Sequence, residues 1–113
     1  MTDNKLDIET IDVLKDALGD EFPSLINIFL ADAPLRVGEM KALLQAGDAA
    51  GMERPAHTLK GSSGNIGAIA LSAACAVLVD QIRLNTLENP DQCLANIQTE
   101  LEIAKTMLEA LLD

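Results

Sequence analysis

Apolar residues recur along this chain at steps of three and four, the period of helices that bury one face. No stretch shows the strict alternation of a half-buried strand. Asp7 is placed to cap a short first helix whose inner positions are Ile8, Ile11, Leu14 and Leu18, with Gly19 to end it. A longer segment runs from Phe22 through Leu25, Ile26, Phe29, Leu30, Ala33, Val37 and Met40 to Leu44, and ends near Gly47. Pro34 lies inside it, where the lost backbone donor predicts a kink. Asp48 can cap a third segment that reaches Gly64 or Asn65. A fourth turns Leu71, Cys75, Leu78 and Ile82 inward and fades at Asn85. Asn89-Pro90 then reads as an N-cap followed by proline at the first helical position. The last helix follows, with Leu94, Ile97, Leu101, Ala104, Leu108 and Leu111 as its seam.

Short connections make consecutive helices antiparallel neighbours, and seams of this kind suit axes about 20° apart. The pattern therefore predicts an all-α protein: an antiparallel four-helix bundle with an additional short N-terminal helix. At 113 residues one domain over 1–113 is expected, without repeat, linker or low-complexity tract.

Composition narrows the function classes. Hydrophobic residues make up 49% and aromatics only 2%, so the core is built of aliphatic and small side chains. Eighteen acidic residues against eight basic ones give a net charge of −10. A nucleic-acid partner is not expected, because its counterions are displaced by a basic footprint that this chain lacks overall. The same charge opposes an anionic membrane surface. No apolar run approaches the roughly 20 residues of a membrane span, and the polar N-terminus has no signal-peptide core, so a cytoplasmic location is expected. Cys75 and Cys93 stand far apart in helical apolar patterns and read as buried thiols, and one histidine leaves too few soft ligands for zinc.

The chemistry concentrates in residues 56 to 68, AHTLKGSSGNIGA, where three glycines at steps of three follow the chain's one histidine, His57. A phosphate-cradling glycine loop would follow a buried strand and open a helix, or place Gly-Lys-Ser/Thr in that order. Upstream of Gly61 there is no strand pattern, and Lys60 precedes the glycine. The segment reads instead as a helix whose seam is Met52, Ala56, Leu59, Ser63 and Ile66. At about 100° per residue, His57 points roughly 140° from the centre of that seam, toward solvent. Lys60 at i+3, Gly61 at i+4 and Gly64 at i+7 share its flank or face. Glycine within a helix costs roughly 1 kcal/mol relative to alanine, and open space for a partner surface beside the imidazole is a reason to bear that cost. For Gly64, the end of the helix is the plainer reason. Lys60, an ordinary solvated charge in the simplest reading, would also be an electrostatic partner for a phosphoryl dianion on His57.

The run Ala56-His57-Thr58-Leu59-Lys60-Gly61-Ser62-Ser63, followed by Gly67-Ala68, resembles the signature of the histidine-containing phosphotransfer (HPt) domains. The likeness extends in pattern over roughly residues 20 to 85, through Phe29-Leu30, Pro34 and Gly47-Asp48 upstream and Leu71, Cys75 and Leu78 downstream. Two positions depart from it. Pro55 stands two residues before the histidine, where it predicts a bend just ahead of the site. Val79 replaces an acidic residue or Gln that often reaches the site, and Gln81 lies on another face.

The resemblance implies a phosphorelay intermediate, a phosphocarrier rather than an enzyme with its own ATP site. His57 would take a phosphoryl group on Nε2 from a receiver-domain aspartate and pass it to another receiver. Lys60 would offset the phosphoryl charge, Gly61 and Gly64 would admit the receiver, and Ser62 and Ser63 would hold the local helix. Arg54 with Lys60 would form a basic collar that offsets the chain's acidity during docking. No cofactor or metal is expected on this chain, since the Mg2+ would come with the receiver. Receiver domains and a hybrid sensor kinase are the expected partners of a monomer. Two rivals accompany this reading. A non-phosphorylated helical adaptor would be favoured by a buried ring. A sensor-kinase histidine helix calls for an acidic residue directly after the histidine, where Thr58 stands. The Met1 start leads us to expect a free-standing protein.

Overall fold

The structure, a computed structural model, describes residues 5–112. Met1, on which the expectation of a free-standing protein rests, lies outside them, as do residues 2–4 and 113 of the expected 1–113 domain. The described chain forms helices α1 (Ile8–Leu18), α2 (Phe22–Gln45), α3 (Glu53–Asn65), α4 (Ile69–Arg83) and α5 (Pro90–Ala110). Helices α2 to α5 close a ring in which α2 and α4 each pack against α3 and α5, and consecutive members run antiparallel. The expected four-helix bundle with a short N-terminal helix is the observed architecture.

The polar residues between helices set their ends. Asp7 caps α1, with Oδ2 accepting from the Thr10 hydroxyl at 2.7 Å, and these bonds hold its carboxyl below the usual carboxylate range. Asn89 caps α5 by accepting from Gln92 N at 3.1 Å, and Pro90 begins that helix at no cost in hydrogen bonds. Gly19, at φ +53°, ends α1. Pro34 does not end α2, which is helical through it, and its ring lies exposed.

The centres of the predicted seams form the core, and Leu14, Leu18, Leu25, Leu30, Leu44, Ile82 and Leu111 pack half-buried at its edge. Ile26, Met40, Met52, Leu59, Leu71, Leu78, Ile97 and Leu108 are fully enclosed, and Cys75 lies among them. Ile8, assigned to the inner face of α1, is instead 58% exposed. Helix α1 stands outside the ring and buries only Ile11 against it, so a residue at its first turn has nothing to cover it. Its start is fixed to the α3–α4 turn, where Asp7 N donates to Gly67 O at 2.7 Å.

Candidate functional site

Helix α3 carries the site, and the residues before it decide where it starts. Gly47, at φ +81°, turns the chain after α2. Asp48 Oδ1 then accepts from Gly51 N at 2.9 Å, so it caps a short 3-10 turn over Ala50–Met52 rather than α3 itself. Because α3 begins only at Glu53, Pro55 falls in its first turn, where backbone N–H groups have no intrahelical acceptor. The bend expected from Pro55 is thus replaced by a helix start, and its ring is buried.

The seam of α3 is as its spacing predicts: Met52, Ala56, Leu59, Ser63 and Ile66 are all buried. Ser63 carries the one buried polar side chain among the described residues. Its hydroxyl donates to Leu59 O at 2.6 Å, so this buried oxygen is paired. Ser62, half-buried, donates to Leu59 O at 3.3 Å, and Ser72 of α4 donates across to Lys60 O at 2.9 Å. These hydroxyls tie the site helix to itself and to its neighbour.

His57 lies on the opposite face, exposed. Lys60, one turn on, is half-buried, and neither Lys60 nor the exposed Arg54 enters an ion pair among the described residues. A β-carbon built on Gly61 would meet nothing within 4 Å, which is the open space the sequence suggested. Gly64 differs: exposed as it is, its β-carbon would lie 3.4 Å from Ser72 Oγ, so this glycine also eases the packing of α3 on α4. Val79 is fully buried and offers the site no polar group, while Gln81 faces α5, accepting from Cys93 Sγ at 3.6 Å.

Two features escaped the sequence. His57 borders an open concavity of about 620 Å³ that also touches Arg54, Thr58 and, from the end of α4, Arg83. Arg83 Nε donates to Glu53 Oε2 at 2.7 Å, closing the start of α3 onto the end of α4. The hint available was a basic residue in the last turn of a helix antiparallel to α3. On the α2 flank, an apolar groove of about 510 Å³ runs between α1, α2 and the end of α3. Leu14, Leu18, Leu25, Ile28 and Phe29 line it, and Ser62 and Asn65 form its edge on the site helix.

The second turn of a bundle helix thus presents an exposed histidine, with a half-buried lysine that enters no ion pair among the described residues and an open glycine one turn further on. Comparison with known proteins gives the family. The Hpt domain family model matches residues 24–112. The fold is similar to the crystal structure of histidine-containing phosphotransfer protein B from Pseudomonas aeruginosa PAO1, at 29% identity and a TM-score of 0.90, covering 96% of this chain and 95% of that one. It is also similar in fold to a histidine-containing phosphotransfer protein from Medicago truncatula, at 24% identity and a TM-score of 0.82, covering 96% of this chain and 77% of the other. No curated protein sequence matches. The chain belongs to the Hpt domain family, whose role is histidine phosphotransfer in phosphorelay signalling.

Proposed function

We propose that His57 is the phosphoacceptor, and that it relays a phosphoryl group between the aspartates of two receiver domains, one of them part of a hybrid sensor kinase. The observation that carries this reading is the exposure of His57 on α3 together with open space at Gly61 one turn on. A buried ring would have favoured the adaptor reading, and this ring is exposed.

In the forward step a neutral imidazole presents the Nε2 lone pair to the phosphorus of an aspartyl phosphate. The N–P bond forms, the acyl P–O bond breaks, and its electron pair stays on the departing aspartate carboxylate. The ring keeps its Nδ1 proton and becomes cationic, so no proton has to move during transfer. Such chemistry is mostly positioning and charge stabilisation. Lys60 would face the charge that arrives, since among the described residues it has no carboxylate partner to leave. Arg54 extends the positive rim, Gly61 and Gly64 leave room for the receiver, and Ser62 holds α3 at the edge of the apolar groove. That groove, which meets α3 at Ser62 and Asn65, adds apolar contact area for the receiver on the α2 flank of the site helix.

On this reading the receiver supplies Mg2+, the chain binds no ATP, and it works as a monomer in the cytoplasm. No helix among the described residues is long and apolar enough to cross a membrane. The test is to incubate the protein, with Mg2+, against a panel of phosphorylated receiver domains from its own organism and follow the label. Transfer from at least one receiver, with no labelling from ATP and Mg2+ alone, is the expected result. Self-labelling from ATP would favour the kinase-fragment reading, and silence across the whole panel would favour the adaptor.

A further inference from the structure

Around His57 the charges are arranged in a way that phosphocarrier function alone does not require. Glu53 lies one turn before the histidine and Lys60 one turn after it, with β-carbons three or four residues apart spaced about 5–6 Å. Arg83 reaches in from α4, and its Nε meets the Glu53 carboxylate at 2.7 Å. Among the described residues its two terminal nitrogens have no partner. The pair is open to water, with side chains 51% and 36% exposed. Arg54 and Arg83 line one concavity with His57 and Glu53, and Lys60 follows one turn on, in a chain that carries −10. A phosphoryl group brings about −1.5 to −2.

We propose that Arg83 is the second charge-supporting residue of the phosphohistidine site, and that Glu53 holds it in reserve while His57 is bare. Building on the phosphocarrier reading, the proposal assigns a role to a residue of α4 that the site helix does not contain. An exposed ion pair contributes little net stability, so Arg83 leaves Glu53 easily. A dianion offers the guanidinium a stronger, bidentate acceptor than one carboxylate does. Once His57 is loaded, Glu53 becomes a like charge one turn away. The swing of Arg83 toward the phosphoryl oxygens then offsets that repulsion. The pair is a latch that phosphorylation opens.

This differs in sign from a purely structural tie between α3 and α4. A tie is broken equally by losing either partner, so Arg83→Ala and Glu53→Gln would act alike. The latch makes them opposite, because one variant removes a cation that favours the dianion and the other removes an anion that opposes it.

The experiment loads His57 with phosphoramidate, whose P–N bond breaks to release ammonia as the histidine N–P bond forms, so no receiver is needed. The titration of the bound phosphoryl group is then followed by 31P NMR in the wild type, Arg83→Ala, Arg83→Lys and Glu53→Gln, with circular dichroism confirming the fold. Arg83→Ala should lower the proton dissociation constant of the phosphoryl group about two- to fivefold, the range that an exposed charge contact supports. Glu53→Gln should raise it, Arg83→Lys should stay near the wild type, and high salt should compress the differences. The Arg83 Nε–H resonance should also move on loading. Equal effects of Arg83→Ala and Glu53→Gln, no effect of either, or a failure of phosphoramidate to load His57 would overturn the proposal. Transfer from receivers is assayed separately, so it can succeed while the latch fails.

Discussion

A methyl group at position 61 would touch nothing, and this makes Gly61 a direct probe of what the site face is for. Helix propensity alone says that Gly61→Ala should stabilise the protein by up to about 1 kcal/mol, since the backbone there is regular helix. Gly61→Arg should keep or raise the melting temperature, because its side chain points into solvent. Beside His57, however, the arginine would obstruct an incoming receiver, so the transfer rate should fall severely. Thermal melts paired with transfer kinetics decide it, and wild-type transfer by Gly61→Arg would refute the access argument. His57, Lys60 and Gly61 were legible because all three lie within one helix, where spacing alone assigns a face. Arg83 was not, because its place beside His57 depends on how far α4 runs back along α3, which no local pattern encodes.

Between elements, the same residue type acts with the opposite sign. Gly67 joins α3 to α4 at φ +83°, and a β-carbon there would approach Asp7 O to 3.2 Å and Ile11 Cγ1 to 3.3 Å. Gly67→Ala should therefore destabilise the protein, by about 1–2 kcal/mol from the left-handed backbone alone, with the crowding against α1 added. Denaturant titration measures it, and a neutral result would mean that α1 is not held against this turn. Helix ends with strong side-chain caps, Asp7 and Asn89, were readable from the sequence. The start of α3 was not, because a 3-10 turn takes the Asp48 cap and shifts the helix onward by a turn. That shift is also why Pro55 is harmless where a bend was expected. Ile8 fits the period of α1 yet faces water, since periodicity assigns a helix face but not what covers it.

At the scale of the whole molecule, the core closes around Cys75, and burial pushes its thiol up to about 12. The thiolate that reacts with alkylating agents is thus scarce as well as shielded. Cys93 is only half-buried, with a thiol also raised by burial. Iodoacetamide labelling read by mass spectrometry should modify Cys93 slowly in the native protein. Cys75 should react only as denaturant unfolds the bundle, in step with loss of helical circular dichroism. Native labelling of Cys75 at the rate of Cys93 would show that the ring of helices opens locally. The bundle itself was legible from the seams, because aliphatic stripes of this period leave few other arrangements.

The central claim is that one imidazole carries the phosphoryl group, and chemical mapping of the phosphate after labelling by a receiver tests it most directly. The phosphate should be acid-labile, base-stable and confined to His57. His57→Gln should take up none while its helical circular dichroism stays unchanged. Residual acid-labile, base-stable phosphate on that variant, or a phosphate mapped to any other residue, would contradict the account.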